Sequence, residues 1–458
     1  MTNAQRNALI TVLAAALLLR IAALLLNYNN LDFAGSLYQQ GETARNILAG
    51  RGITQNSDYL AHVLERANAE HRLIDFEDIL PPQQESVRPD YNNEPGYGIF
   101  LSALWRVTGS ERWIYPRVLQ GLVDVAMCWI MFLVGSRLFS VRVGLLSSAF
   151  YAVFVPEIEM AIRPYRDVWV TFLFVVSIWY LTSVTGKETS LRKQLVASAG
   201  IGVFAAAVCW MRSTVLVYPL AIIAVLWVIL PRRDALRLAA VLVVTFGVVY
   251  APFFLRSEED FGKPMVTRGA FWHSFWGGIG QFPNPYGVVE DDRKIYQFGK
   301  SLDPNAAFNT DAYEQALKKK AFEMLREHPV FYASTVVRRA LVIAFPRLGR
   351  ALFFQEPPQE AKTGLLNQLG RMGKWGLVGV DAGLGLLFLC GIYVHRKRPA
   401  SLLIVLLPFL YTLVTLAPFY VTGRNIANAY CSEMILASAG FALLAGKVLG
   451  RATGGRTE

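Results

Sequence analysis

The chain has 458 residues, 54% of them hydrophobic and 17% charged, and a formal net charge of +11. A soluble protein of this length averages fewer apolar and more charged residues, so an assembly of soluble domains is excluded. The basic excess lies largely in short loops between apolar runs, where it sets membrane orientation. No basic helix or aromatic platform of the nucleic-acid-binding kind accompanies it, so no nucleic-acid partner is expected.

Taken in order, the apolar runs long enough to cross about 30 Å of hydrocarbon as helix are 8–27, 113–136, 142–160, 168–185, 194–211, 214–231, 235–254, 375–394, 399–419 and 429–448. The first follows a short polar leader, Met1 to Arg6, with no small-residue cleavage site after it, and reads as an uncleaved span. Continuous apolar runs mean helices, since a barrel would alternate in short strands. The expected fold is therefore an all-α polytopic membrane bundle of about ten transmembrane helices.

Between the spans, Arg137 and Arg142, then Lys187, Arg192 and Lys193, then Arg232, Arg233 and Arg237, and finally His395-Arg396-Lys397-Arg398 fall on one side, together with the C-terminal tail. The positive-inside rule makes that side cytoplasmic and predicts a multi-pass protein of the bacterial inner membrane with both termini inside. Residues 330–346 are apolar but carry Arg338 and Arg339 at their centre, which favours an interfacial or partly buried helix over a span.

Two long segments, 28–112 and 255–374, then share the periplasmic face. Helical spacing is legible over 37–49, ending at Gly50, over Pro95 to Val107, and over Thr310 to Glu327. The expected organisation is 1–254 as a membrane module with its first periplasmic loop, 255–374 as a periplasmic segment with interfacial helices, and 375–458 as the last spans. Cys128, Cys209, Cys390 and Cys431 are scattered without paired spacing, which supports neither a zinc site nor a disulfide framework.

The informative charges sit at the periplasmic helix ends: Asp32, Glu42, Arg45, Arg163, Arg166, Asp167, Arg212 and Arg424. Arginine forks match phosphate oxygens, and a carboxylate takes a proton from an attacking hydroxyl. A polyprenyl phosphate, with its tail in the lipid bilayer and its phosphate at the interface, suits such a cavity. Each residue taken alone also has a plain reading as a helix-end anchor, and Asp167 as a helix N-terminal charge. Arg117 and Asp124, seven apart, share one helix face, either as functional groups or as a structural contact with Arg20.

The order of short motifs resembles the GT-C superfamily, and within it the protein O-mannosyltransferase and lipid A aminoarabinose transferase family. The matching pieces are Leu19-Arg20, Ala44-Arg45-Asn46 with Gly50-Arg51-Gly52, Glu94-Pro95-Gly96-Tyr97, Tyr115-Pro116-Arg117-Val118-Leu119-Gln120, Arg166-Asp167, Met211-Arg212-Ser213-Thr214, and Phe275 to Gly287 with Asn284-Pro285. The resemblance implies a catalytic Asp in the first periplasmic loop and a second acid in the next, which is Asp167. Ser36 stands where relatives place the first acid, so the base is Asp32 or Glu42. It also implies phosphate ligands among Arg45, Arg163, Arg166, Arg212 and Arg424, and a divalent-metal site at Glu94 with His273. A lone loop histidine is more often structural.

The expected function is inverting transfer of a sugar from a polyprenyl-phosphate-linked donor to a periplasmic glycan, lipid or protein acceptor. A transporter or flippase of lipid-linked sugar, or a non-catalytic relative acting in glycan assembly, are the competing readings.

Overall fold

The computed structural model describes residues 1–29, 34–79, 88–89, 94–186, 189–261, 270–303, 310–353 and 370–453. The chain is an all-α polytopic membrane protein. By contacts it divides into two units, Met1–Thr267 and Arg268–Glu458, so the helices of 270–353 and the last spans fall in one unit.

The first unit begins with α1 (Asn3–Leu26), opened by a capping box in which Thr2 and Gln5 each bond the other's backbone N–H. Three helices fill the following loop: α2 (Ala34–Leu48), α3 (Ser57–Glu70) and α4 (Gly96–Thr108). Residues Thr54–Gln55 pair antiparallel with Arg88–Pro89. The bundle continues through α5 (Ile114–Leu138), α6 (Val141–Ala152), α7 (Val155–Ile162), α8 (Asp167–Val184), α9 (Leu191–Met211), α10 (Tyr218–Ile229) and α11 (Arg232–Phe261). The loop helices enclose an aromatic core of Tyr38, Phe76, Trp105 and Trp113, all nearly solvent-free, with edge-to-face ring contacts at 5.6–6.2 Å.

Among the described residues, eight helices are long and apolar enough to span, or nine with one bent pair. The sequence suggested about ten, and both differences have local causes. Run 214–231 forms a shorter apolar helix within Ser213–Ile229. Run 142–160 is broken into α6 and α7, bent by 60°. Pro156 explains the break, because it offers no N–H to the carbonyl of Ala152 four residues back and its ring clashes there. The orphaned Ala152 carbonyl instead accepts from the guanidinium of Arg20 on α1. That guanidinium also pairs with Asp124 of α5 at 2.5–2.7 Å. Asp124 accepts from the Tyr151 hydroxyl at 2.7 Å, and the same hydroxyl reaches Glu157 of α7 at 3.3 Å. Four helices are thus tied at the break by a buried polar cluster, and the structural contact with Arg20 is the one Asp124 makes.

The second unit holds α12 (Phe271–Ile279), α13 (Asp292–Leu302), α14 (Asp311–Glu327), α15 (Pro329–Ala344) and α16 (Pro346–Phe353), then α17 (Gly370–His395), α18 (Pro399–Leu416), α19 (Gly423–Ile426) and α20 (Tyr430–Thr453). Thr310 caps α14, its side chain accepting from the Tyr313 N–H. Phe275, Trp276, Ile279, Ile295, Tyr313 and Leu317 form its core outside the spans. α17 crosses α20 closely at Gly391 and Gly440, where a Cβ on either would meet the other helix's backbone. The two arginines of α15 have separate uses. Arg339 is fully buried and donates to the carbonyls of Ala417 (2.9 Å) and Gly278, while Arg338 lies about 6 Å over the rings of Phe282 and Phe353.

Candidate functional site

In the first unit two buried ion pairs meet at the ends of α8 and α9, and one of them holds the loop there. Arg166 bonds Glu94 at 2.7 Å, and Glu94 also accepts from the Ser213 hydroxyl (2.7 Å) and backbone N–H (3.2 Å). Asp167, at the start of α8, pairs with Arg212, the residue that ends α9. Asp167 is 1% exposed and Arg212 8%. Asp167 thus meets Arg212 directly while Arg166 and Ser213 meet on Glu94, and three motifs of the sequence become one junction.

Gly96 makes the junction possible. A Cβ there would lie 2.5 Å from Met211 N and Trp210 C, both backbone atoms that cannot swing aside. We expect Gly96→Ala to destabilise the protein by about 1–3 kcal/mol, read as a lower Tm in detergent. A Tm equal to that of the native protein would mean that the loop is not seated on α9.

Beside the junction is a small, open cleft lined by Asn27, Leu37, Arg117, Glu159, Ile162, Arg163 and Pro164. Arg163 faces Glu159 at 3.9 Å, one helical turn apart on the end of α7. Gln120, on α5, donates to the Tyr165 carbonyl at 2.5 Å. Arg117, three residues earlier, donates to the Tyr28 carbonyl at 2.7 Å and lies 4.7 Å over that ring.

The other expected residues are placed differently. Asp32 lies outside the described residues. Glu42 is fully buried and accepts from the Asn56 N–H at 2.7 Å, which anchors the turn after α2. Arg45 holds Glu111 (2.7 Å) and the carbonyls of Ile79 (2.7 Å) and Phe76, and so ties α2 to the loop. Around them burial pushes the Tyr38 phenol up to about 12, so it stays neutral while bonding both backbone groups of Ile74. Burial likewise raises the Asp75 carboxyl, against the lowering by the Trp113 N–H it accepts at 2.7 Å.

In the second unit, Arg424 sits in the short helix α19, capped by Thr422. His273 is buried between Tyr313 (Nδ1, 2.7 Å) and Asp292 (Nε2, 3.1 Å). As for a metal, both Glu94 oxygens are engaged by Arg166 or Ser213, and a guanidinium against the carboxylate is a poor neighbour for a second cation. Among the described residues no cluster of three or more His, Cys, Asp or Glu side chains offers a metal site. The donor set does not fit a metal at Glu94, and no step below is routed through one.

Glu159 was missed by sequence reasoning. Its signal is the i, i+4 Glu–Arg spacing to Arg163 at the end of an apolar run, which reads as an ordinary surface pair until α7 turns both groups toward the cleft.

Comparison with solved structures turns on the bundle as a whole. An oligosaccharyltransferase of Archaeoglobus fulgidus, AglB, in complex with an inhibitory peptide and a dolichol-phosphate, is similar over 100% of this chain and 53% of its own, at TM-score 0.51 and 11% identity. Its apo form matches over 98% and 52%, at TM-score 0.50 and 12% identity. A form tethered to an acceptor peptide with the NVT sequon matches over 98% and 52%, at 0.50 and 13%. The chain shares the fold of these oligosaccharyltransferases. It spans about half of their length. No protein-family model and no curated protein matches the sequence.

Proposed function

We propose that this chain is a glycosyltransferase that moves a sugar from a polyprenyl-phosphate-linked donor to an acceptor on the periplasmic side of a bacterial inner membrane. The observation that carries it is the cleft at the loop end of the first unit. There a carboxylate, Glu159, and a guanidinium, Arg163, face a common space beside α1, in a fold shared with oligosaccharyltransferases.

In the reaction, an acceptor hydroxyl attacks the anomeric carbon as the bond from that carbon to the phosphate oxygen breaks. The polyprenyl phosphate leaves with the electron pair, and the hydroxyl proton passes to a carboxylate on the opposite face. Arg163 steadies the leaving phosphate, since a guanidinium matches two of its oxygens. Asp167, held by Arg212, is the acid of the second loop. The base is one of Asp32, Glu42 and Glu159. The acceptor is a glycan, a lipid or a protein, and AglB's complexes with peptide and dolichol-phosphate support a lipid-linked donor and keep a peptide acceptor in view. The loop charges support the periplasmic orientation, with both termini inside.

The test supplies the purified full-length protein with polyprenyl phosphates carrying labelled sugars and follows release of the carrier. Time-dependent release that needs acceptor supports a transferase. The broken span favours a second reading, a flippase of lipid-linked sugar, because transporters use interrupted helices. Movement of labelled donor across a liposome without release of its sugar would replace the first reading by this one.

A further inference from the structure

Buried arginines of the first unit come with carboxylates: Arg20 with Asp124, Arg45 with Glu111, Arg166 with Glu94, Arg212 with Asp167. Arg117 does not. It is 3% exposed and lies on the wall of the cleft. Its Nε has no hydrogen-bond partner, and no carboxylate is within ion-pair distance among the described residues. The Tyr28 carbonyl does not account for it, because a neutral donor would satisfy one carbonyl without the several kcal/mol that burial of an uncompensated charge costs. Across the cleft, Arg163 and Glu159 offset each other, so the charge of the described lining is +1 and belongs to Arg117.

We infer that Arg117 is the ligand that receives the phosphate of a lipid-borne phosphate ester, with Arg163 as a second contact tempered by Glu159. The inference rests on the reading of the chain as a transferase using a polyprenyl-phosphate donor, and names the residue that holds the donor's charge. A lipid source is favoured over free phosphate by the approach to the cleft. Asn27, on its wall, directly follows Leu25 and Leu26, each 75% exposed on α1, and Val118 beside Arg117 is 46% exposed on α5. An apolar chain lying along those side chains brings its headgroup to Arg117. The planar fork is anchored at one nitrogen by Tyr28 and its buried Nε is unpartnered, so a phosphate oxygen at the cleft wall would complete its bonding.

The experiment uses the full-length protein in nanodiscs and three probes: undecaprenyl phosphate, undecaprenol with the same tail and no phosphate, and inorganic phosphate. Undecaprenyl phosphate should bind and raise the Tm, and the other two should not. Arg117→Gln should weaken undecaprenyl phosphate binding by about tenfold or more, the loss of one charge-assisted contact, with its own Tm unchanged or higher. A merely structural arginine would lower the Tm instead. Arg117→Lys, which keeps the charge without the fork, should bind between the two, and decides the matter if the Gln variant does not fold. Undecaprenyl phosphate binding as tight in Arg117→Gln as in the native protein overturns the inference, as does equal binding of undecaprenol. Equal stabilisation by inorganic phosphate alone would make this a site for a soluble anion and overturn the lipid assignment. Loss of binding in Arg117→Gln while the native protein transfers no sugar would sink the transferase reading and leave the anion site standing.

Discussion

Asp167→Asn is expected to lower sugar transfer by about 10²–10³-fold, the usual worth of one electrostatic contact to charge that develops in the transition state. It is also expected to destabilise the protein by about 3–5 kcal/mol, because Arg212 then lies buried beside an amide in place of its counter-charge. The two effects are separable. Adding Arg212→Gln removes the stranded cation, so the double variant should regain most of the lost Tm, since partners in direct contact are strongly non-additive. If Asp167 takes part in the chemistry, transfer stays low in the double variant. Transfer that returns together with stability would reduce Asp167 to a latch between α8 and α9.

The second large effect concerns the broken span. Asp124→Asn leaves Arg20 without a carboxylate in the bundle interior and should cost about 3–5 kcal/mol. Glu157→Gln should cost far less, since an amide oxygen still accepts from the Tyr151 hydroxyl and no cation partner of Glu157 is lost among the described residues. Thermal unfolding in detergent measures both. Equal Tm losses for the two variants would contradict the assignment of Asp124 as the counter-ion that lets Arg20 cap the Ala152 carbonyl.

Much of this architecture was legible in the sequence because hydrocarbon imposes one rule, that backbone groups bond within the segment. That rule makes α1, α5, α8, α9 and α11 readable from apolar length alone. Loop helices α2, α4 and α14 were also legible, α2 from its helical spacing, α4 as an apolar stretch and α14 as a charged one. The break between α6 and α7 was harder. Run 142–160 is apolar throughout, and a proline inside such a run can kink or break it depending on what satisfies the freed carbonyl. Here the answer is Arg20, more than a hundred residues earlier.

The site was legible as a set of charges on one end of the bundle, but not as a set of partnerships. Arg166, Arg212, Asp167 and Glu94 were each identifiable, yet only the fold shows that they neutralise one another in two pairs. Arg45 and Glu42, read from the sequence as phosphate ligand and alternative base, are engaged by backbone groups of their own loop. Glu159 stood in a plain i, i+4 spacing with Arg163 and Arg117 on one helix face with Asp124, and what distinguishes them is their place on the wall of the cleft. Sequence spacing reports which residues share a helix face. It does not report which buried charge lacks a partner.

The account stands on sugar transfer from a lipid-linked donor, and the direct measurement is release of undecaprenyl phosphate from labelled glycosyl-undecaprenyl phosphate by the purified protein in proteoliposomes. The account predicts acceptor-dependent release in the native protein and little in Asp167→Asn with Arg212→Gln. Donor that stays intact across a panel of sugars and acceptors, in protein that is folded and binds undecaprenyl phosphate, would contradict it.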